Sequence, residues 1–357
     1  MGRFGDTIKS VNKQVGERTF PDWVAPSMQL DFPHIPTGVL VFDIQTGIGG
    51  FPRGFITELF GPESCGKTTL ALEAARECQE TCKQAVLYLD YAHDFDPRYA
   101  KKLGVNLEHN WFGLTQPATA EEGLRLGKFL MKEAAGEIGL VIVDDVSSMN
   151  PMEDTEKELG ESQPGSQARM MGRALRQLRS DIGETQTAWV FINQLRDVIT
   201  IGWNPTPNVK QKTTSGGRAL KFYAGLRVEF QPRVIDTVKA ESILSDKEVK
   251  VMTGQRSRFE IIKNKLFRPY LGGELHLRPG EGFDSISSCT EIAVRLGLIT
   301  KKTGGVFHIP QPFCGENWGE KTCRGEEQLY EFFKNGEGQV TLLVDEVRKA
   351  LIAKLGA

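Results

Sequence analysis

The stretch GPESCGKTT, Gly61 to Thr69, decides the fold class of this 357-residue chain. It fits the pattern G-x-x-x-x-G-K-[ST] and lies between an apolar strand, FITELF, and a helical run, LALEAAREC. Backbone N–H groups of such a loop, at the start of a helix, form a nest for phosphate. We expect Lys67 to reach the β- and γ-phosphates and Thr68 to bind Mg²⁺. The predicted nucleotide-binding residues are Gly61, Pro62, Glu63, Ser64, Cys65, Gly66, Lys67, Thr68 and Thr69.

A second motif, the acidic stretch LVIVDD, supplies the other half of a nucleotide site. It is an apolar strand that ends in Asp144 and Asp145. After a phosphate-binding loop, an acid in this position orients Mg²⁺ or its water. Asp144 is the first choice for this role and Asp145 the fallback, whereas the simpler alternative is a carboxylate that only caps a turn.

Short apolar runs alternate with helical patterns between about residue 31 and residue 284. Near-continuous apolar strands of this length are typical of sheets that are covered on both faces. Alternation of strands and helices predicts an α/β fold with a mostly parallel central sheet. The clearest predicted strands are VLYLD (86–90), LVIVDD (140–145), AWVFIN (188–193), LRVEF (226–230) and FEIIKNK (259–265), and the predicted helices include 97–103, 121–135 and 168–181.

Three segments are expected from these patterns. Residues 1–30 are polar and mixed, and they are predicted to form an N-terminal arm rather than a domain. Residues 31–284 form the predicted core. Residues 285–357 carry helical patterns at 287–296 and 340–355, which predict a small α+β C-terminal lobe.

Composition restricts the function classes only weakly. The formal net charge is -2, so any nucleic-acid site must depend on local basic groups. No apolar run reaches the roughly 18 residues that a membrane span needs, and the start lacks a secretion signal, so we expect a cytosolic protein. The six cysteines form no CxxC pair and are interpreted as reduced thiols without metal.

Between Pro36 and Lys265 the chain resembles bacterial and phage RecA recombinases. The order and spacing of several motifs agree over about two thirds of the chain: TGVLVFDIQTGIGGFPRG, GPESCGKTTLAL, DPRYAKKLGV, ARMMGRALRQL, FINQLR, TTSGGRALKFYA and IIKNK. The resemblance implies a RecA-type core built around the phosphate-binding loop Gly61 to Thr69 (the P-loop), with ATP and Mg²⁺ as cofactors. It also implies DNA-dependent ATP hydrolysis, helical filaments on single-stranded DNA, and strand exchange with a homologous duplex.

The same resemblance assigns roles around the nucleotide. Asp96 and Tyr99 in DPRYAKKLG would hold the adenine, and Gln194 would sense the γ-phosphate. Lys263 and Lys265 would reach the ATP on a neighbouring subunit. Since they are two apart in a predicted strand, they share one face and both can point at one anion. The alternative for these lysines is a solvated strand edge.

Two irregular polar stretches, 152–167 and 197–218, match the family's DNA-binding loops. Arg169 and Arg176 follow the first on one helix face, although a solvated face is the simpler alternative. Binding through such loops is largely independent of sequence and sensitive to salt. The residues that the resemblance assigns to DNA are Pro164, Gly165, Arg169, Arg176, Ile199, Gly216, Gly217 and Arg218.

Ala92, in the run YLDYAHDFDP, departs from the family pattern. The family has a glutamate there that activates the attacking water, and an alanine cannot accept a proton. Loss of a general base typically costs ~10²–10⁴ in rate, so we expect ATP binding with impaired hydrolysis. Three explanations stay open: an introduced substitution that traps the ATP state, a natural residue for which Asp94 or another acid compensates, or a naturally slow ATPase.

The resemblance also predicts how copies of the chain assemble. Phe222 and the N-terminal arm would contact the adjacent subunit, and such head-to-tail contacts generate helical filaments unless the rotation closes. Two other functions stay open. One is a ring-forming RecA-fold DNA motor or regulatory ATPase, and the other is a passive DNA-binding filament without exchange activity.

Overall fold

The computed structural model describes residues 32–155, 165–197, 212–232, 234–242, 245–314, 321–336 and 338–355. From Pro33 onward the chain forms one compact unit. The predicted arm (1–30), Pro164 and Ile199 lie outside the described residues, so the roles expected of them stay predictions.

Sixteen strands occur in the described part of the chain. They are β1 (His34–Ile35), β2 (Phe51–Pro52), β3 (Ile56–Gly61), β4 (Ala85–Asp90), β5 (Phe112–Thr115), β6 (Ile138–Asp144), β7 (Ala188–Asp197), β8 (Lys212–Thr214), β9 (Leu226–Phe230), β10 (Val234–Ser242), β11 (Ser245–Asn264), β12 (Gly272–Arg278), β13 (Gly282–Phe283), β14 (Thr300–Lys302), β15 (Val306–Ile309) and β16 (Lys321–Arg324).

Ten α-helices connect these strands within the same described ranges. They are α1 (Leu40–Thr46), α2 (Lys67–Glu80), α3 (Pro97–Lys102), α4 (Ala120–Glu133), α5 (Met152–Thr155), α6 (Ser166–Thr185), α7 (Ala219–Tyr223), α8 (Ser285–Arg295), α9 (Gly325–Lys334) and α10 (Gln339–Leu355). Short 3₁₀ turns cover Val146–Ser148 and Gln311–Cys314.

The main sheet has the strand order β13-β12-β11-β9-β3-β7-β6-β4-β5, with β10 paired to β11 and β8 to β7. The six strands from β9 to β5 in this order run parallel. The pairs of β11 with β9, β12 and β10 are antiparallel. The predicted α/β fold with a mostly parallel central sheet is therefore confirmed, and the FEIIKNK strand lies in its antiparallel flank.

Alternate residues of the central strands enter two separate apolar clusters. Leu140 and Ile142 of β6 pack in a cluster with α2, whereas Val141 and Val143 pack in a cluster with α4 and α6. Since successive strand side chains point to opposite faces, a strand covered on both sides must be apolar throughout. This explains why the strands appear in the sequence as continuous apolar runs, and why helices lie on both faces.

The C-terminal segment has a third apolar cluster of its own, which includes Phe307, Phe313 and Phe333. Its strands β14, β15 and β16 form a small antiparallel sheet, and Leu40 of α1 packs into the same cluster. The predicted α+β character of this segment is therefore confirmed; the sequence patterns located the helices α8 and α10, but neither α9 nor the individual strands. The domain boundary at residue 284 stays a prediction.

Among the helices that the structure describes, none is long and apolar enough to cross a lipid bilayer.

Candidate nucleotide and DNA sites

Four adjacent strands bring the predicted nucleotide residues to one edge of the sheet. Asp90 at the end of β4 is in register with Asp144 at the end of β6. Gly61 at the end of β3 is in register with Gln194 of β7. In open α/β sheets, ligands bind in the crevice outside the carboxyl ends of the strands. The topology therefore places the two motifs and Gln194 around one crevice.

The loop between β3 and α2 has the geometry of a phosphate cradle. Gly66 has a φ of +93°, and a Cβ there would lie 2.8 Å from the Phe283 ring, so glycine is required. No side chain caps the start of α2. Its first-turn N–H groups are therefore of the kind that bind an anion at a helix N-terminus. Glu63 and Ser64 are exposed, whereas Cys65 is buried, and burial raises the pKa of its thiol.

Lys67 lies inside this loop and is 6% exposed. Its Nζ donates to the carbonyl oxygens of Pro62 (2.5 Å) and Gly61 (3.2 Å). The ammonium is thus desolvated and held by oxygen acceptors that belong to the loop. Phosphate oxygens are stronger acceptors for such a cation than neutral carbonyl groups are, so the arrangement fits a phosphate-binding lysine.

Thr68 and Asp144 meet at the predicted magnesium position. Thr68 Oγ1 donates to Asp144 Oδ2 over 2.9 Å, and Tyr88 Oη donates to the same oxygen over 2.6 Å. Burial raises the pKa of Asp144 to about 6, although both hydrogen bonds act to lower it. A hydroxyl and a carboxylate are hard oxygen ligands, which suit Mg²⁺. Asp145, the fallback, instead accepts the Ser148 N–H over 2.8 Å and caps the following turn.

Tyr99 lies beside the same loop. Its hydroxyl is 2.9 Å from Thr69 Oγ1, at the start of α2. Asp96 accepts the N–H groups of Arg98 (2.8 Å) and Tyr99 (3.3 Å) and so forms the N-cap of α3. The structure therefore gives Asp96 a local role in positioning Tyr99. The contact of both residues with adenine stays a prediction.

Ala92 is the second residue after β4 and lies against the end of β6. Its N–H is 3.3 Å from the carbonyl oxygen of Asp144. Asp90 is buried and accepts the side-chain amide of Gln116 over 2.8 Å, which makes it an anchor of the turn. Asp94 is exposed, and its pKa is raised by partial burial and then by its neighbours Asp90 and Asp145. Asp94 is therefore the acid near Ala92 that solvent reaches.

Polar side chains in the second half of β7 connect the predicted nucleotide site with the second predicted DNA loop. Asn193 Nδ2 donates to Glu58 Oε1 (3.0 Å) and to the carbonyl oxygen of Ser215 (3.1 Å). Glu58 also pairs with Arg227 over 2.5 Å in the buried sheet. Gln194 Nε2 donates to Asp145 Oδ2 over 2.6 Å. The strand that carries Gln194 is thus fixed on both sides.

Gly216 and Gly217 pack against the start of α6. Their φ angles are +77° and +71°, and a Cβ on Gly217 would lie 2.7 Å from the Cβ of Ala168. Gly216 N donates to Gln167 Oε1 over 3.2 Å, and Gln167 Nε2 donates to the carbonyl oxygen of Val146 over 2.6 Å. One glutamine therefore joins both predicted DNA loops to the turn after β6.

The exposed face of α6 is more basic than the sequence reasoning recognised. Arg169 and Arg176 are exposed, and Arg173 and Arg179 lie between and beyond them at helical spacing on the same face. Arg169 Nη2 is 3.6 Å from Glu153 Oε1. Gly165 begins this helix and is exposed, and so is Arg218 before α7. These positions form a basic surface next to the two loops.

Lys263 and Lys265 lie at the end of the sheet opposite the P-loop, near the amino-terminal end of β3. The backbone N–H of Lys265 donates to Gly225, which in turn donates to Ile56, the first residue of β3. The P-loop follows the other end of β3, roughly 17 Å away at ~3.3 Å per residue. Lys263 is shifted in register against β9, and its Nζ donates to the carbonyl oxygen of Lys221 over 2.6 Å. The two lysines cannot reach the P-loop of their own chain.

Tyr88, Gln167 and Asn193 were missed by the sequence reasoning, although each contacts a predicted site residue or loop. Their partners are 56, 49 and 22 residues away in the chain. No local pattern marks such pairs.

Comparison with known proteins agrees with this arrangement. The family profile described as the RecA N-terminal domain matches residues 3–284. Protein RecA of Aquifex aeolicus (strain VF5) is 37% identical over 318 residues, which cover 88% of this chain and 83% of that protein. Protein RecA of Chloroflexus aurantiacus (strain ATCC 29364) is 34% identical, with 98% and 90% covered. Protein RecA of Bacillus subtilis (strain 168) is 32% identical, with 96% and 90% covered. The resemblance inferred from the motifs is thereby confirmed, and this chain belongs to the RecA family.

Proposed function

We propose that this chain binds ATP and Mg²⁺ at the edge of its sheet, polymerises head to tail on single-stranded DNA, and promotes pairing and strand exchange with a homologous duplex. The observation that carries the proposal is the separation of Lys67 and Lys263 to opposite edges of one sheet. A phosphate-binding loop at one end of the sheet and a pair of cations at the other end suit a site that is completed between two copies.

The chain's own residues account for ATP binding as follows. The P-loop N–H groups and Lys67 would hold the phosphates, and Tyr99 and Asp96 would contact the base. Thr68 and Asp144 would hold Mg²⁺, which neutralises phosphate charge when bound. Lys263 and Lys265 of a neighbouring copy would add cations at the same phosphates, so that ATP and assembly favour each other.

DNA binding would follow from the same arrangement. The turn after β6 and the end of β7 both lead from the nucleotide edge into a predicted DNA loop, and Gln167 joins them. The glycine N–H groups at 216 and 217 and the arginines of α6 are groups that contact phosphate. Binding of this kind is independent of sequence and weakens as salt rises.

Hydrolysis in this chain would be slow, because Ala92 stands where the family has its general base. Its position against the end of β6 supports this reading, since a longer acidic side chain there could reach the crevice. We propose a recombinase that binds ATP well and turns it over poorly.

Electron microscopy and strand exchange test the proposal together. With single-stranded DNA, Mg²⁺ and a non-hydrolysable ATP analogue, we expect continuous helical filaments. With ATP and a homologous labelled duplex, we expect transfer of one strand. Closed rings would favour a RecA-fold motor, and filaments without strand transfer would favour a passive DNA-binding protein.

A further inference from the structure

Tyr88 is a buried tyrosine next to the predicted magnesium position, and none of the roles proposed above uses its hydroxyl. Its side chain is fully buried, and its ring packs against Phe95 (ring centroids 4.9 Å apart) and Phe112 (6.0 Å). A buried phenol usually finds a hydrogen-bond partner for its O–H group. Here the partner is the carboxylate of Asp144, 2.6 Å from Tyr88 Oη. The aromatic neighbours therefore fix the ring, and the ring fixes the position of the hydroxyl.

The strand register explains how Tyr88 reaches this carboxylate. Tyr88 on β4 pairs with Ile142 on β6, and Asp144 follows Ile142 by two residues. Positions two apart in a strand share one face, so Asp144 is the diagonal neighbour of Tyr88 on the same face of the sheet. The hydroxyl spans that diagonal. A phenylalanine in this position would keep the ring packing, but its ring would end short of the carboxylate.

Two hydroxyl groups share one oxygen of Asp144. Thr68 Oγ1 donates to Oδ2 over 2.9 Å, and Tyr88 Oη donates to the same atom. An ionised carboxylate has about two acceptor positions on each oxygen, so these two bonds occupy Oδ2. Oδ1 is thereby the oxygen that stays available to a metal ion or its water. Since Thr68 is itself an expected metal ligand, Tyr88 is the donor that fixes the carboxylate from the protein side.

We propose that Tyr88 is a positioning residue for the magnesium site, because its hydroxyl orients Asp144 so that the available carboxylate oxygen is presented to the metal ion or its water. The inference rests on the proposed function, since it requires Mg²⁺ at Thr68 and Asp144. Hydrogen-bonding partners orient the residues that ligate a metal, and removal of such a partner typically lowers metal affinity about 10- to 100-fold. Without the hydroxyl, Asp144 would be held by Thr68 alone and could turn away.

Tyr88→Phe tests the proposal, because it removes one oxygen atom and keeps the ring among its aromatic neighbours. We expect the Mg²⁺ concentration that half-saturates nucleotide binding to rise by about tenfold or more. Affinity for the same nucleotide in EDTA should stay within about twofold of wild type, because the loop N–H groups and Lys67 bind phosphate without the metal. A merely structural role predicts instead that affinity falls equally with and without Mg²⁺.

The measurement is the fluorescence of an ATP analogue with a methylanthraniloyl label, mixed with the full chain and titrated with Mg²⁺. In a parallel titration, electron paramagnetic resonance of Mn²⁺, which suits the same oxygen ligands, counts the bound metal directly. Tyr91→Phe is the matched control. Tyr91 is 5% exposed, lies in the other apolar cluster of the sheet, and donates its hydroxyl to the carbonyl oxygen of Ala120 over 2.9 Å. Its variant should match wild type in both titrations.

The outcomes separate this inference from the proposed function. A higher half-saturating concentration of Mg²⁺ and Mn²⁺ in Tyr88→Phe, with unchanged affinity in EDTA, supports the inference. An unchanged metal requirement overturns it and leaves the proposed function standing. An equal loss of affinity with and without metal also overturns it, because the hydroxyl then only stabilises the fold. If nucleotide binding by wild type does not respond to Mg²⁺ at all, the magnesium site of the proposed function fails, and the inference fails with it.

Discussion

Lys263 Nζ donates a 2.6 Å hydrogen bond to the carbonyl oxygen of Lys221, at the edge of the sheet opposite Lys67. Nearby, Phe222 is 71% exposed, which is unusual for a phenylalanine. Burial and the neighbouring cations Lys265 and Arg227 lower the pKa of Lys263. Cations crowded beside an exposed aromatic side chain suit a surface that meets an anion on a second copy.

The separation of Lys67 and Lys263 to opposite ends of the sheet predicts that two inactive variants complement each other. A Lys67→Ala chain lacks the phosphate loop's cation, and a Lys263→Ala, Lys265→Ala chain lacks the cations offered to its neighbour. Each alone should show little ATP-dependent binding to oligo-dT. In an equal mixture, about one quarter of head-to-tail interfaces combine an intact loop with intact lysines, so partial binding should return.

Lys302→Ala provides the control, because Lys302 is exposed on β14 in the C-terminal segment. It should bind DNA like wild type on its own, which shows that loss of an exposed lysine is not in itself disabling. Full activity of the Lys263, Lys265 double variant on its own would contradict the assignment of these lysines.

A second prediction concerns Gly217, whose φ of +71° and close approach to Ala168 exclude a side chain. Gly217→Ala forces the backbone out of this conformation at a cost of about 1–3 kcal/mol, so affinity for oligo-dT should fall at least about fivefold. Gly172→Ala is the matched control, because a Cβ at this α6 position meets nothing within 4 Å. It should leave affinity unchanged and can raise stability by up to about 1 kcal/mol. Equal affinities for the two variants would argue against a DNA role for Gly217.

The phosphate loop could be predicted from the sequence because its parts are contiguous. Strand β3, the glycine loop and α2 follow one another, so one motif specifies the backbone, Lys67 and Thr68 together. The central strands were also predictable, since burial on both faces demands apolar residues at every position. The pairing of Thr68 with Asp144 followed from topology, because parallel strands deliver their carboxyl ends to one edge.

Contacts between distant parts of the chain could not be predicted. The bond between Gln167 and Gly216 depends on how α6 packs beside the returning loop, and neither local sequence contains that information. Likewise, Asp145 looked like a second choice for Mg²⁺, but the turn that it caps directs it toward Gln194. The sequence could not show that β11 runs antiparallel to β9, because the apolar pattern of a strand is the same in either direction.

A third prediction is a pH-dependent stability that Asp43 contributes. This side chain accepts hydrogen bonds from Thr37 N (3.1 Å) and Thr37 Oγ1 (2.6 Å), yet burial raises its pKa to about 8. The folded state then holds a proton that the unfolded state releases above its ordinary value of about 3.9. The contribution is therefore fully present below that value and is lost as pH rises toward about 8.

Urea unfolding of wild type and Asp43→Asn at pH 5.5 and 7.5 measures this effect. The variant cannot titrate, so wild type should lose stability relative to it as pH rises, by at most ~1.4 kcal/mol per pH unit. A stability difference that is the same at both pH values would show that Asp43 is not protonated in the folded protein.

The last prediction concerns Ala92, and it tests whether the proposed loss of the base limits turnover and whether another acid compensates for it. Ala92→Glu places a carboxylate beside the end of β6, where its N–H already meets the Asp144 carbonyl. DNA-dependent ATP turnover should rise at least about tenfold, the low end of what a general base supplies. Steady-state phosphate release with oligo-dT measures it. Ala92→Gln is the matched control, since it has the same size but cannot take a proton.

Asp94→Asn, made in the chain with Ala92 and in its Ala92→Glu variant, decides whether Asp94 compensates. If Asp94 activates water in the chain as it stands, its loss abolishes the residual turnover of the first background but matters little in the second. If residual turnover survives in both, Asp94 is only a neighbour of Asp90 and Asp145, and the chain is slow because its base is gone. Equal turnover in Ala92→Glu, Ala92→Gln and wild type would mean that position 92 is not where water is activated.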